Sequence, residues 1–353
     1  MKRIRQVLLL MMVLLLTVPA SASAIGAGTV KKADAKIEAE AEEKAAANEQ
    51  AIYASLGISE SDDLNDTVKA EELNQLCKDM FKTGVSLVAG EDVTWQEAVC
   101  ETARAAGIIP DFTPESEKNP KKIKKPIVEY PDEAAFEFVY NIGREYKIWT
   151  NTKFQDAGQT MTKQELVNFM SDLTGYINKN KSKTAGYGLN YIHVSCLGDK
   201  NSQAQLGTVW AGLIQVPFEV LREYRDQEYK ISIKTNYNEV NPTRFHEEEK
   251  TIYVYKIFDA KDMVRTMGYF VNYICGIDED GLVSAFNTEK DKAMQLTCDQ
   301  AGQNENEFFV ELFAHYITNQ YDKKAMDTFT SQLPNMAELF ANKIANGWDV
   351  AKK

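Results

Sequence analysis

The sequence predicts an α+β protein in which a mainly helical N-terminal region precedes a domain of helices and a small sheet. Two observations carry this prediction. Residues 230–234 and 251–255 alternate between apolar and polar side chains, as half-buried strands do. The segment 206–225 instead spaces its apolar residues by three and four, as amphipathic helices do, and Pro217 is expected to kink or split it. Upstream of residue 180 the segments read as helices and loops.

Residues 1–24 have the features of a secretory signal peptide. A basic start is followed by an apolar run from Val7 to Val18 and by small residues at Ala22–Ala24. The apolar run is too short for a comfortable membrane span. We therefore expect an exported protein that keeps no transmembrane anchor after cleavage.

Residues 25–58 are rich in Ala, Lys and Glu and predict a charged spacer, either helical or disordered. Within it, Ile37–Ala54 predicts a solvated helix.

Composition limits the classes of function. A chain of 353 residues predicts two domains after the signal is removed, and 44% hydrophobic residues support real cores. The formal charge of -12 argues against a nucleic-acid partner. Five cysteines leave one unpaired at best; Cys77 with Cys100 is a plausible disulfide, and buried free thiols are the alternative.

Residues 59–180 contain an internal repeat of helix, loop, Thr-x-x-Glu and a second helix. Thr94 with Glu97 opens the second helix of one copy, and Thr162 with Glu165 opens that of the other, which is expected to end at Gly175. Thr-x-x-Glu is a capping box, in which the hydroxyl and the carboxylate each accept from a free backbone N–H.

This repeat resembles the S-layer homology repeat, which usually occurs in three copies and binds secondary cell-wall polymer through a Thr-Arg-Ala-Glu motif. Two copies are visible here. The resemblance implies attachment to a Gram-positive-like bacterial cell wall; the alternative is a generic helical spacer. The lysine cluster at residues 121–125, in the linker Pro110–Pro131, is a further candidate contact for anionic polymer. The candidate wall-binding residues are Thr94, Trp95, Glu97, Thr162, Lys163 and Glu165.

Residues 185–353 form the second predicted domain. Its segment Asn304–Phe313 reads Asn-Glu-Asn-Glu-Phe-Phe-Val-Glu-Leu-Phe. This resembles the glutamate helix of the anthrax lethal factor-like metallopeptidases, a group that includes the Pro-Pro endopeptidases. The resemblance implies a zincin-like fold. In that family an earlier helix supplies two His zinc ligands at i and i+4 together with a Glu general base, and the glutamate helix supplies the third ligand.

The earlier helix is present, but its chemistry is lost. The resemblance places Arg265 and Tyr269 at the two His positions, Thr266 at the general base and Glu307 at the glutamate ligand. Gln300 lies nearest to the position of the family's transition-state tyrosine.

These substitutions remove zinc catalysis. Arg265 has no lone pair to offer a metal, and Thr266 cannot accept a proton from water near neutral pH. Tyr269 ligates only as a phenolate, which a pKa near 10 makes costly. One carboxylate is too few for a catalytic zinc, so we expect no metal cofactor. We predict instead that Arg265 pairs with Glu307; the alternative is that Arg265 points to solvent.

The sequence thus predicts a secreted or cell-surface pseudoenzyme that binds a peptide, a protein or a cell-envelope component without hydrolysis. One alternative is a divergent zinc metalloendopeptidase that uses Glu307, Glu311 and His315, which share one helical face at spacings of four. A second is a structural wall-associated protein. The expected cleft residues are Arg265, Tyr269, Glu307 and Glu311.

Overall fold

The computed structural model describes residues 43–59, 63–112, 127–196, 200–234, 243–275 and 279–348. The described residues from 49 onward belong to one compact unit, and residues 43–48 belong to another. The predicted signal peptide and the lysine cluster of the linker lie outside the described residues. Residues 43–55 are helical, and Ile52 is fully buried, so this part of the predicted spacer contributes a core residue.

The fold is α+β, as predicted, with a four-stranded sheet. Its helices are α1 (Ala70–Phe81), α2 (Trp95–Ala105), α3 (Asp132–Glu145), α4 (Lys163–Lys179), α5 (Lys200–Gln215), α6 (Phe218–Asp226), α7 (Ala260–Cys275), α8 (Glu279–Leu296), α9 (Glu305–Asn319), α10 (Lys323–Gln332) and α11 (Pro334–Ala345). The strands are β1 (His193–Cys196), β2 (Lys230–Ile233), β3 (Arg244–His246) and β4 (Thr251–Val254). Short 3-10 helices occupy Tyr187–Asn190 and Asp299–Gly302.

The helical region is built around a closed ring of three backbone hydrogen bonds. The N–H of Val68 donates to Met161 O at 2.9 Å, that of Met161 to Val93 O at 2.8 Å, and that of Val93 to Val68 O at 2.9 Å. Each ring residue lies two positions before a helix, α1, α2 or α4. The three helix starts are therefore equivalent by a pseudo-threefold arrangement, of which the sequence had revealed only two.

The two predicted capping boxes are confirmed. Thr94 Oγ1 accepts from Glu97 N at 3.3 Å, while Glu97 Oε2 accepts from Thr94 N at 2.8 Å. Thr162 and Glu165 repeat both bonds at the same distances. At the third helix start, that of α1, the backbone N–H of Lys69 donates to the carboxylate of Glu72 at 2.8 Å. The Lys69 side chain has no acceptor atom, so it cannot accept a hydrogen bond from the backbone of the helix. This helix start therefore carries half of a capping box.

The sheet has the strand order β1-β2-β4-β3, in which β3 lies at an edge. Strands β1, β2 and β4 are parallel, and β3 runs antiparallel to β4. The buried apolar residues Ile231 and Ile233 of β2 and Ile252 and Val254 of β4 anchor the sheet in the core.

Helix α7 lies in the centre of the C-terminal region and packs against both α5 and α9. Gly268 allows the close approach to α9, because a Cβ there would lie 3.2 Å from Phe313 Cδ1 and 3.4 Å from Val310 Cα. This packing brings the polar face of α7 against Glu307 and Glu311.

Several boundaries differ from the sequence predictions. Pro217 splits the predicted helix 206–225 into α5 and α6, one of the two outcomes expected. Helix α4 continues four residues beyond Gly175, where a Cβ would meet nothing within 4 Å, so this glycine does not end the helix. The short strands β1 and β3 and the helices α8 and α10 were not predicted.

Cys77 and Cys100 are buried free thiols, which was the alternative to a disulfide between them. Cys77 Sγ lies 3.8 Å from Thr102 Oγ1, and Cys100 Sγ donates to Asp132 O at 3.4 Å. In the described part of the chain, none of the helices is both long enough and apolar enough to cross a membrane.

Candidate functional site

A cleft of about 730 Å³ opens between the edge strand β3, helix α7 and the start of α9. Its wall combines carboxamide, aromatic and charged side chains. The lining residues are Thr243, Arg244, Phe245, Glu247, Arg265, Tyr269, Asn272, Tyr273, Gln300, Gln303, Asn306 and Glu307. Three of the four predicted cleft residues thus line one cavity, and the fourth, Glu311, lies buried behind it.

Arg265 bridges two carboxylates at the base of this cleft. Its Nη2 donates to Glu307 Oε2 at 2.6 Å, and its Nε donates to Glu311 Oε1. The predicted Arg265–Glu307 ion pair is therefore confirmed. The second pair, with Glu311, was not predicted.

The Arg265 group is largely withdrawn from solvent. The side chains of Arg265, Glu307 and Glu311 are 23%, 20% and 5% exposed. Burial disfavours the charged guanidinium, but the hydrogen bond and the charge of Glu311 outweigh burial and raise the pKa of Arg265 above its ordinary value. Arg265 is thus a permanent cation in this cleft.

Tyr269 completes the coordination of Glu307. Its hydroxyl lies 2.8 Å from Oε1 and 3.0 Å from Oε2 of Glu307 and donates to this carboxylate. The Arg265 Cζ lies 5.4 Å from the centre of the tyrosine ring. Burial raises the pKa of Tyr269 to about 12, so its phenol stays protonated and acts as a donor.

Thr266 does not face the cleft as a catalytic group. The residue is 3% exposed, and its hydroxyl donates to Asp262 O at 2.8 Å within α7. The position that the resemblance assigns to the general base therefore holds a hydroxyl that caps a carbonyl of its own helix.

Gln300 lies in the 3-10 helix before α9, at the rim of the Arg265 group. Its Oε1 accepts from Arg265 Nη2 at 3.2 Å. This residue orients the guanidinium, and its carboxamide has no acidic proton to donate in a reaction near neutral pH.

The residues do not fit a zinc ion. The guanidinium of Arg265 uses the oxygens of both glutamates that would face a metal, and it offers no lone pair of its own. Across the described ranges, no three His, Cys, Asp or Glu side chains are grouped closely enough to hold a metal. The alternative ligand set of Glu307, Glu311 and His315 is therefore not brought together.

His315 is held by an aromatic neighbour instead. Its ring stacks on Phe329, with ring centres 5.9 Å apart and an interplanar angle of 16°. Burial, with a smaller effect of Lys261, lowers the pKa of His315, which favours the neutral imidazole.

The candidate wall-binding residues lie at the pseudo-threefold ring. The hydroxyl and carboxylate groups of Thr94 and Glu97 are engaged in a helix cap, as are those of the other pair. Trp95 is fully buried, and its ring packs 5.3 Å from that of Phe154. Lys163 pairs with Glu72 at 2.9 Å, which links the start of α4 to the start of α1.

Sequence reasoning missed the β3 side of the cleft. Arg244 and Phe245 lie on the edge strand, and Asn272 and Asn306 face each other across the cleft and share a hydrogen bond. A strand of three residues leaves little periodic signal, so the sequence offered no direct sign of Arg244.

Comparison with known proteins gives a distant structural similarity. No family profile and no curated protein sequence matches this chain. A solved structure of the Pro-Pro endopeptidase from Paenibacillus alvei is similar with a TM-score of 0.33 and 15% identity, covering 42% of this chain and 95% of that one.

Proposed function

We propose that the C-terminal region is a metallopeptidase-like domain that binds an extended peptide or a cell-envelope component without hydrolysing it. The supporting observation is the position of Arg265 between Glu307 and Glu311. A guanidinium in this position supplies positive charge between the two carboxylates, but it cannot coordinate a water molecule and activate it as zinc does.

The remaining side chains support the same proposal. Tyr269 donates to Glu307, and the hydroxyl of Thr266 is directed to Asp262 O. The carboxylate, the phenol and the hydroxyl are thus each committed to a partner inside the protein. Both oxygens of Glu307 accept hydrogen bonds from Arg265 or Tyr269, which makes this carboxylate a poorer general base for peptide hydrolysis.

The shape of the cleft favours an extended ligand. Among the strands that the structure describes, β3 pairs with β4 alone, and its residues Arg244 and Phe245 line the cavity. An unpaired strand edge accepts a peptide through backbone hydrogen bonds, while neighbouring pockets read alternate side chains. The carboxamides of Gln300, Gln303 and Asn306 offer further donors and acceptors on the opposite wall.

A second candidate function, structural attachment to the cell wall, draws support from the helical region. The ring of Val68, Val93 and Met161 relates three helix starts, and three is the usual number of S-layer homology repeats. On this proposal the protein is secreted and wall-associated, with the helical region as anchor and the cleft as binding module. Sedimentation of the purified protein with cell walls that retain or lack their secondary polymer tests the anchor. We expect the protein to sediment with walls that retain the polymer and not with stripped walls. Equal sedimentation with the two kinds of wall would contradict attachment through the polymer.

The binding function is tested by presenting the purified protein to a library of linear dodecapeptides. Selection for binding should enrich peptides, while mass spectrometry of the same library after prolonged incubation should detect no new cleavage products, with or without added zinc. Zinc-dependent cleavage would contradict the proposal and favour the divergent metalloendopeptidase. Failure to enrich any peptide would exclude a linear peptide as the ligand of the cleft.

A further inference from the structure

Arg244 is a cation of the cleft for which the described part of the chain provides no partner. It lies on the edge strand β3, is exposed and lines the cavity. Within the described ranges, its guanidinium makes no hydrogen bond and no ion pair. Arg244 therefore differs from Arg265, whose charge is matched by two glutamates.

The other charged residues that line the cleft are Arg265, Glu307 and Glu247, of which Arg265 and Glu307 pair with each other. Glu307 accepts from Arg265 and Tyr269. Glu247 is exposed, and its interaction with the Tyr273 hydroxyl raises the pKa of Tyr273 to about 12. The remaining wall consists of carboxamides, Thr243 and aromatic rings, which carry no charge.

We propose that Arg244 is the specificity-determining residue of the cleft and selects linear peptides that carry a carboxylate side chain. This inference rests on the proposed peptide-binding function and names its ligand class. A peptide laid along β3 brings one of its side chains to the level of Arg244, and a guanidinium is matched to a carboxylate by two parallel hydrogen bonds.

The expected preference is modest because Arg244 is exposed to solvent. Exposed charge pairs contribute about 1 kcal/mol at most, which corresponds to a preference of roughly fivefold for Asp or Glu over Asn or Gln at one peptide position. Salt should weaken this preference, because exposed charges are screened.

The test is a selection from the linear dodecapeptide library with four full-length proteins: wild type, Arg244→Gln, Arg244→Glu and Arg222→Gln. Arg222 is an exposed arginine of α6 that does not line the cleft, so its variant is the matched control. Wild type and Arg222→Gln should enrich Asp and Glu at one position. Arg244→Gln should lose this enrichment while still selecting peptides, and Arg244→Glu should enrich Lys and Arg there.

Each result is decisive. Inversion of the charge preference by Arg244→Glu is a readout that a merely structural role of Arg244 would not produce. Two results would overturn the role of Arg244 and leave the binding function intact. In the first, wild type selects peptides without enriching Asp or Glu. In the second, the enrichment of Asp or Glu survives in Arg244→Gln. Absence of any selected peptide would overturn both.

Discussion

The pseudo-threefold ring and the Arg265 group use polar side chains in opposite ways. In the ring, Thr94 and Glu97 satisfy backbone donors within a single helical turn. In the cleft, Arg265 of α7 donates hydrogen bonds to Glu307 and Glu311 of α9, which lie more than forty positions further along the chain. It also donates to Gln300, which precedes α9. The ring is assembled from local hydrogen bonds, whereas the cleft depends on a charge network that exists only when α7 and α9 pack.

The two regions should therefore differ in their response to substitution. Loss of one cap leaves one backbone N–H that water can reach at a helix start. Loss of the Arg265 guanidinium leaves Glu311, whose side chain is 5% exposed, without its cation. The cleft should therefore respond to substitution far more strongly than the ring does.

The largest effect is expected for Arg265→Met, which keeps much of the apolar stem and removes the charge. Removal of one partner from a buried pair costs about 3–5 kcal/mol, and the partial exposure of Arg265 places the expected loss near 3 kcal/mol. Urea denaturation followed by circular dichroism measures this change in the free energy of unfolding.

The matched control is Arg265→Met combined with Glu307→Gln and Glu311→Gln. Neutral side chains carry no uncompensated charge, so this triple variant should recover most of the loss. A single variant with a loss below about 0.5 kcal/mol would mean that the two carboxylates need no cation, in conflict with the role given to Arg265.

A smaller effect is expected at the ring. Thr94→Ala and Thr162→Ala each remove a capping hydroxyl and should each cost about 1 kcal/mol. Thr94→Ser and Thr162→Ser keep the acceptor and should remain near wild type. A loss as large as that of Arg265→Met would show that the ring is not held by local bonds alone.

The third helix start offers a change in the opposite direction. Lys69→Thr supplies the side-chain acceptor that this N-cap lacks and should stabilise the protein by a few tenths of a kcal/mol. The Lys69–Asp92 pair that it removes is exposed and contributes little. Lys69→Ala supplies no acceptor, so a gain of the same size in that variant would argue against the capping explanation.

The smallest effect concerns pH. The folded-state pKa of His315 lies below its ordinary value of 6.5, because burial disfavours the charged ring. The unfolded chain therefore binds the proton more readily, so the contribution of His315 is present above about pH 6.5 and is lost as the pH falls below it. His315→Phe keeps a ring against Phe329 and should flatten this part of the stability profile between pH 7 and 5. An unchanged profile would assign the pH dependence to other groups.

The sequence predicted those parts of the fold whose signals are local. Alternation gave β2 and β4, Thr-x-x-Glu gave two helix starts, and Pro217 marked the break between α5 and α6. The third start was missed because Lys69 stands where a capping box has Ser or Thr, although Glu72 keeps its place three residues later. Nothing in the local pattern reveals that all three starts form one ring.

The site was predicted in part for the same reason. The resemblance placed Arg265 and Glu307 at two of the family's metal-ligand positions, and the structure confirms that these two residues pair. The pairing of Arg265 with Glu311 depends on the distance between α7 and α9, which Gly268 sets, and periodicity carries no such distance. Arg244 reaches the cleft through the antiparallel pairing of β3 with β4, which is a long-range contact between short strands.

The proposed function requires that Arg265 takes the place of a metal between Glu307 and Glu311. Its most direct test is the zinc content of the purified protein after mild dialysis, measured by elemental analysis. We predict a zinc content near zero. About one zinc per chain would contradict the claim, since a catalytic zinc needs three protein ligands that the Arg265 group does not offer.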